Sequence, residues 1–154
     1  MSAHLHSRAA RYVLLSGVIA AACWRPTATT VKVVAMPKAN DTMAIEVDVL
    51  FIYQGSVAEE LTAAGATSWF ENRDRLLAKY NGKFFYVHWE LVPGSTRSAS
   101  WMPETEDHDG ATVLVFADYV SGEPKLVNVT EMDEPLVYLC EHNLALQESC
   151  TQPR

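Results

Sequence analysis

The chain has 154 residues, of which 12 are Lys or Arg and 19 are Asp or Glu, so that its net charge is −7. This acidic balance argues against a surface that binds nucleic acid through Lys and Arg. The length suits one domain with a single hydrophobic core.

The first 22 residues have the layout of a signal peptide. Arg8 and Arg11 precede an apolar run of 11 residues from Tyr12 to Ala22, and no acidic residue comes before Asp41. The run fits the roughly 7–15 residues of a signal-peptide core. It is shorter than the ~17–25 residues of a membrane-spanning helix. We therefore expect an exported chain without a permanent transmembrane anchor.

Small residues precede the first cysteine, in the order Ile19-Ala20-Ala21-Ala22-Cys23. This order resembles a bacterial lipobox, in which the cysteine is acylated and becomes the first mature residue. Lipoboxes usually carry Leu where Ala20 stands. The alternative is an ordinary secretory cut after Ala20 or Ala22 that leaves a free thiol.

The two remaining cysteines, Cys140 and Cys150, form an even pair if Cys23 is acylated. In an oxidising compartment such a pair favours a disulfide bond, which would close a loop of about ten residues and contribute ~2–3 kcal/mol. The alternative is two reduced thiols. Residues 24–154 hold 10 basic and 19 acidic residues, a net charge of −9, which favours a basic protein partner.

The mature chain begins with a tether and continues as one domain. Residues 23–30 carry the polar stretch "WRPTATT", which suits a link between a lipid and a folded body. Residues 31–154 are predicted to form a single domain. Its first strand is expected at 30–36, followed by a turn over 37–42 with the Pro, Asn and Asp typical of turns.

The second strand is predicted over 44–53. Glu46 and Asp48 alternate with apolar residues before a continuous apolar end. This pattern predicts a strand with one wet face that becomes buried on both faces.

Two helices are predicted at about 56–81. Ser56 and Glu59 have the spacing of a capping box, and the first helix should stop at Gly65. A second begins near Ser68 with an apolar stripe that predicts core packing, and Asn81-Gly82 should end it in a left-handed conformation.

The rest of the chain again has strand character, in four segments at 83–94, 111–120, 125–132 and 135–146. Short strands separated by turn residues predict a mainly β fold, a β-sandwich with a helical insertion after its second strand.

Enzyme motifs are missing from the sequence. It contains no nucleophile elbow, phosphate-binding loop or common zinc motif, so no catalytic, metal or cofactor-binding residue is assigned. His88 lies within a strand and is predicted to be structural. His142 beside Cys140 could form a Cys-His pair, but a disulfide bond would remove the nucleophile.

An acidic segment at 104–110 invites a calcium-binding interpretation. An EF-hand register on Gly110 places Phe116 where a bidentate Glu is required, so the spacing fails. The segment is a solvated loop, or a weak contact for a cation or a basic partner. Sequons at Asn40 and Asn128 are accidental if the chain is a bacterial lipoprotein.

The order of these segments is similar to that of the outer-membrane lipoproteins of type VI secretion systems, the TssJ/SciN type. The resemblance covers most of residues 23–146 and is one of order and spacing. The stretches that carry it are "VKVVA" at 31–35, "FIY" at 51–53, Trp69-Phe70, Leu76-Leu77, "ELVPG" at 90–94 and "VLVFADY" at 113–119.

The resemblance implies a transthyretin-like β-sandwich, anchored by acylated Cys23 to the periplasmic face of the outer membrane, and no catalysis. Trp24 rather than Asp after the cysteine agrees with that membrane. In the family, the loop between the first two strands docks the periplasmic domain of the inner-membrane protein TssM. Here that partner-binding loop would consist of Pro37, Lys38, Ala39, Asn40, Asp41 and Thr42.

Three features depart from the family. The connector at 95–110 is long and acidic, a disulfide bond is not expected, and the lipobox lacks its Leu. A second hypothesis is therefore an inhibitor or immunity lipoprotein that blocks a basic toxin or lytic enzyme through the acidic surface at 104–109. No nucleic acid, small-molecule substrate or cofactor is expected for either.

Overall fold

The computed structural model describes residues 30–101, 111–146 and 150. The signal peptide, Cys23, the predicted tether up to residue 29 and the acidic segment 104–110 lie outside these residues, whereas Thr30 begins the first strand. The strands are β1 (Thr30–Ala35), β2 (Ile45–Ile52), β3 (Phe84–Leu91), β4 (Thr96–Ser100), β5 (Thr112–Asp118), β6 (Lys125–Asn128), β7 (Leu136–Leu139) and β8 (Leu144–Ala145), with helix α1 (Gly55–Lys79) between β2 and β3.

The strands form two four-stranded sheets that pack face to face. One has the order β4-β1-β7-β8 and the other β3-β2-β5-β6. Strand β1 pairs with β4 antiparallel and with β7 parallel, whereas β2 pairs antiparallel with both β3 and β5. The predicted mainly β sandwich with a helical insertion after the second strand is confirmed.

Two hydrophobic cores share strand β2. Ile45, Val47, Val49 and Phe51 point into the sandwich between the sheets. Leu50 and Ile52 alternate with them and lie against α1 on the outer face of the second sheet. Because side chains alternate along a strand, a strand covered on both sides reads as a continuous apolar run, as β2 does from Val49 onward.

Helix α1 is broken where the sequence predicts a stop. Gly65 has φ 76° and ψ 177°, a conformation that is essentially restricted to glycine. A second irregularity at Asn72 was not predicted. The aromatic stripe packs as expected, with Trp69 completely buried. Gly82 has the predicted left-handed conformation, with φ 74°.

The predicted capping box is wrong. The helix begins at Gly55 with Gln54 as its N-cap, and the Gln54 side chain makes no capping hydrogen bond to the backbone of the first turn. Ser56 therefore lies inside the first turn, where its hydroxyl accepts a hydrogen bond of 3.1 Å from the Gln54 side-chain amide.

Two strand boundaries also differ from prediction. The connector after residue 95 contains β4, a polar edge strand that was not predicted. Only Ala99 in it is buried, so its sequence lacks the alternation of apolar residues that indicates a strand. The segment at 135–146 is two strands, since the Cys140 N–H bonds to the Asn143 carbonyl at 2.8 Å and closes a turn. Among the described residues, no helix has the length and apolarity needed to cross a membrane.

The break in α1 predicts a backbone effect that two glycines can isolate. A Cβ added to Gly65 or to Gly55 would meet no atom within 4 Å, but only Gly65 has a positive φ. Gly65→Ala should therefore lower the free energy of unfolding by about 1–3 kcal/mol, measured by urea denaturation. Gly55→Ala, whose backbone suits alanine, should change it by less than ~1 kcal/mol. Equal effects of the two would contradict the assignment of strain to Gly65.

Candidate functional site

Four connections meet at one end of the sandwich, which we call the loop end. They are the β1–β2, β3–β4, β5–β6 and β7–β8 connections, at residues 36–44, 92–95, 119–124 and 140–143. Their shared location follows from register, since β1 and β7 run parallel into the loop end, and Ile45 at the start of β2 pairs with Leu91 at the end of β3.

The β1–β2 connection has an unusual backbone. Three successive residues that are not glycine, Asn40, Asp41 and Thr42, have φ values of 50°, 53° and 68°. Such values are uncommon outside glycine, and for β-branched Thr42 they are a real outlier. Strained backbone persists only where its surroundings determine it strongly.

Asn40 holds this strained backbone in place through its hydrogen bonds. Its side chain is completely buried, donates a hydrogen bond of 2.7 Å to the Ala44 carbonyl and accepts one of 2.7 Å from the Val120 N–H. Its own N–H bonds to the Glu141 carbonyl at 3.1 Å. Asn40 thus ties the β1–β2 connection to the connections that follow β5 and β7.

The predicted partner-binding loop divides into two parts. Ala39 and Asn40 are buried and hold the loop in place, whereas Pro37, Lys38, Asp41 and Thr42 are exposed. Only these four can offer their side chains to a partner.

A polar cluster joins three connections at the surface of the loop end. The Ser121 hydroxyl donates a hydrogen bond of 2.7 Å to Asp41 and lies 3.4 Å from His142 Nδ1. Side-chain atoms of Asp41, Glu141 and His142 lie within 4.8 Å of one another, and all three residues are exposed. Imidazole and carboxylate groups are donors that divalent metals accept, but each residue here is solvated and Asp41 already has a hydroxyl partner.

The predicted disulfide bond between Cys140 and Cys150 is present, with the two Cα atoms 5.4 Å apart. It fastens residue 150 to the β7–β8 connection and so to the loop end. Because the Cys140 sulfur atom is in the disulfide bond, it cannot act as the nucleophile of a Cys-His pair with His142.

A second polar centre lies beneath α1, and the sequence did not reveal it. Asp48 was expected on a wet face but is completely buried. Its two oxygens meet four side chains: Trp69 Nε1 at 2.7 Å, His88 Nδ1 at 2.7 Å, Tyr86 OH at 3.1 Å and Arg73 at 3.3 Å. The sequence did contain a signal for this centre, since Asp48 directly precedes the apolar run of β2. An Asp at the start of a segment buried on both faces needs several hydrogen-bond partners.

His88 has the structural role that was predicted, since its ring lies against Asp48. Burial and nearby charges shift the pKa values of two other residues beside Asp48, Tyr86 and Arg73. Burial raises the pKa of Tyr86, and the negative charge of Asp48 raises it further. Partial burial lowers the pKa of Arg73, but the hydrogen bond to Glu46 and the charge of Asp48 outweigh it, so that the net pKa shift is upward.

Three carboxylates cross the second sheet in a row beside the loop end. Glu46 pairs in register with Glu90 on one side and Asp118 on the other, so the three side chains lie on the same face. Arg73 neutralises Glu46 at 2.8 Å. Burial raises the pKa of Asp118, and repulsion from Glu46 adds to the increase. Like charges directly opposite one another destabilise a sheet.

Comparison with known proteins gives a fold but no sequence relative. No family model matches the chain, and no curated protein matches it in sequence. The fold is similar to that of the T6SS lipoprotein TssJ1 from Pseudomonas aeruginosa, with a TM-score of 0.51 and 12% identity, over 78% of this chain and 95% of that one.

A second neighbour is the Lip protein of Serratia marcescens, described as a membrane-bound component of the type VI secretion system. The TM-score is 0.52 with 10% identity, over 78% of this chain and 96% of that one.

The role of Asn40 can be tested through the stability of the loop. Asn40→Ala leaves the Val120 N–H and the Ala44 carbonyl without their buried partner and should lower the free energy of unfolding by about 2–4 kcal/mol, measured by urea denaturation. Asn40→Asp keeps the acceptor for Val120 but turns a buried carboxylate oxygen toward the Ala44 carbonyl, so its effect should be at least as large.

Lys38→Ala, at an exposed neighbour, is the matched control and should change stability by less than ~0.5 kcal/mol. If Asn40→Ala were as mild as this control, Asn40 would not hold the loop.

The chain therefore has the fold of the type VI secretion lipoproteins, and the predicted resemblance to the TssJ/SciN type is confirmed at the level of the fold.

Proposed function

We propose that this protein is a lipid-anchored structural component of a type VI-like secretion system. It would be held at the periplasmic face of the outer membrane by acylated Cys23. Its β1–β2 connection would hold the periplasmic domain of a TssM-like inner-membrane protein. The observation that carries the proposal is the fold, which spans 95% and 96% of two lipoproteins described as belonging to that system.

The geometry of the chain supports this arrangement. Strand β1 begins at Thr30 and ends at Ala35 beside the loop end, so the tether enters the sandwich at the opposite end. The seven Cα–Cα steps from Cys23 to Thr30 can span at most about 25 Å, and β1 adds roughly 20 Å. A protein anchored at Cys23 can therefore present its loop end to the periplasm, away from the bilayer.

The β1–β2 connection also has the properties of a recognition loop. Asn40 fixes its conformation before any partner arrives, so little conformational entropy is lost on binding. The exposed Lys38 and Asp41 carry opposite charges on neighbouring parts of the same rigid turn, which gives the loop a directional pattern of charge. A partner of complementary charge would gain orientation as well as affinity.

The anchor can be tested by replacing the acylated residue. Cys23→Ser removes the thiol that would carry the lipid, whose chains contribute ~0.8 kcal/mol for each buried CH₂ group. We expect the variant to be recovered in the soluble periplasmic fraction and the unaltered protein in the outer-membrane fraction. Cys140→Ser together with Cys150→Ser is the control for loss of a thiol and should leave membrane association unchanged. If Cys23→Ser stays with the membrane, the lipid is not the anchor.

The loop can be tested by reversing its charges. Lys38→Glu together with Asp41→Lys should lower affinity for the periplasmic domain of the TssM-like protein encoded in the same genome at least tenfold, as measured by isothermal titration calorimetry. Lys83→Glu reverses an exposed charge at the other end of β3 and serves as the control. Unchanged affinity of the loop variant would place the contact elsewhere on the protein.

A further inference from the structure

Three apolar side chains project into solvent at the loop end. Large hydrophobic residues that are exposed in the described part of the chain are Met43, Phe85, Val92 and Val120. Three of these four belong to the loop end, where Met43, Val92 and Val120 are 53%, 60% and 67% exposed. We call these three residues the apolar triad.

Register brings the triad together. Val92 directly follows Leu91, which pairs with Ile45, and Val120 comes two residues after Asp118, which pairs with Glu46. Both valines therefore flank the start of β2, which Met43 precedes by two residues. Neighbouring strands lie about 4.8 Å apart, so the backbones of β3 and β5 are separated by roughly 10 Å. The three residues thus occupy one small area.

The triad is held on a rigid base. The Val120 N–H is bonded to the buried Asn40 side chain at 2.7 Å, and the Met43 N–H to the Asn40 carbonyl at 2.9 Å. On the remaining side the Gly94 N–H bonds to the Ala35 carbonyl at 2.8 Å. The apolar side chains are therefore presented in a fixed geometry rather than on freely moving loops.

Carboxylates predominate around the triad. The exposed acidic residues of the connections are Asp41, Glu123 and Glu141. The row of carboxylates that crosses the second sheet adds Glu46, Glu90 and Asp118. The cations near this area are Lys38 in the β1–β2 connection, Arg97 and Lys125 near the starts of β4 and β6, and Arg73 of α1, which is already paired with Glu46. An apolar centre with a charged rim is the usual anatomy of a protein interface.

We infer that the loop end is one composite docking surface, formed by three connections, for a protein domain that presents an apolar patch rimmed by Lys and Arg. This inference rests on the proposed function and extends it: the β1–β2 connection supplies only Met43 and two charged groups, and Val92 and Val120 complete the contact. The triad supplies the apolar centre of the interface, and the surrounding carboxylates attract and orient the basic rim.

The test uses the full mature chain, purified in detergent, and the periplasmic domain of the TssM-like protein from the same genome. Met43→Ser, Val92→Ser and Val120→Ser should each weaken binding at least fivefold, and the triple variant at least a hundredfold, by biolayer interferometry. Phe85→Ser, at the exposed residue outside the loop end, is the matched control and should bind as the unaltered protein does. Thermal unfolding of every variant verifies folding.

Salt provides a second measurement. Between 50 and 500 mM NaCl the association rate should fall at least tenfold while the dissociation rate changes little, because screening weakens attraction between the acidic rim and a basic partner. An association rate independent of salt would contradict the inference that the partner carries a rim of Lys and Arg.

The remaining outcomes separate this inference from the proposed function. If the unaltered protein binds and the valine variants bind equally well, the composite surface is wrong and the β1–β2 connection alone remains. If the unaltered protein does not bind the domain at all, the proposed partner and the inference both fail. If the triad variants abolish self-association in analytical ultracentrifugation without weakening domain binding, the occupant is a second copy of this chain.

Discussion

The buried carboxylate of Asp48 is the constraint on which the arrangement of helix and sheet depends. A carboxylate taken out of water needs hydrogen-bond donors or a cation, and losing one of its partners is costly. Asp48 obtains them from β3 through Tyr86 and His88 and from α1 through Trp69 and Arg73. Helix α1 can therefore cross the second sheet in one register only, with Trp69 above β2.

This constraint leaves one part of the sheet for other purposes. The helix covers the half of β2 that carries Leu50 and Ile52, while the half nearest the loop end keeps the row of carboxylates beside Glu46. Arg73 lies at the boundary, since it contacts both Asp48 and Glu46. The polar network under the helix thus separates a face used for packing from an acidic face next to the proposed docking surface.

The fold was accessible from the sequence because its main signals are local and periodic. The alternation in β2, the stop at Gly65 and the left-handed Gly82 each follow from a few neighbouring residues. The position of Asp48 was not accessible, because a strand with a wet face and a strand covered by a helix share the same alternation until the helix is placed. Strand β4 was missed because an edge strand buries little.

The candidate site was accessible only in part. The β1–β2 connection could be identified through the family resemblance, but nothing in "PKANDT" indicates that Asn40 is buried and Asp41 exposed, since turn residues favour both. Val92 and Val120 each resemble the end of an ordinary strand. Their common location depends on the pairing of β2 with both β3 and β5, which connects residues far apart in sequence.

The direct continuation of β1 into the β1–β2 connection has a mechanical consequence for a protein anchored at Cys23. Tension between the lipid and a partner that grips only residues 37–42 would pass along the covalent backbone of six residues, Thr30–Ala35, without loading a single sheet hydrogen bond. A partner that also grips Val92 and Val120 would load the rest of the sandwich. The β1–β4 and β1–β7 ladders lie on both sides of the loaded strand and would resist in shear, where their hydrogen bonds yield together rather than in succession. The number of connections that the partner binds would then set the force that the protein withstands.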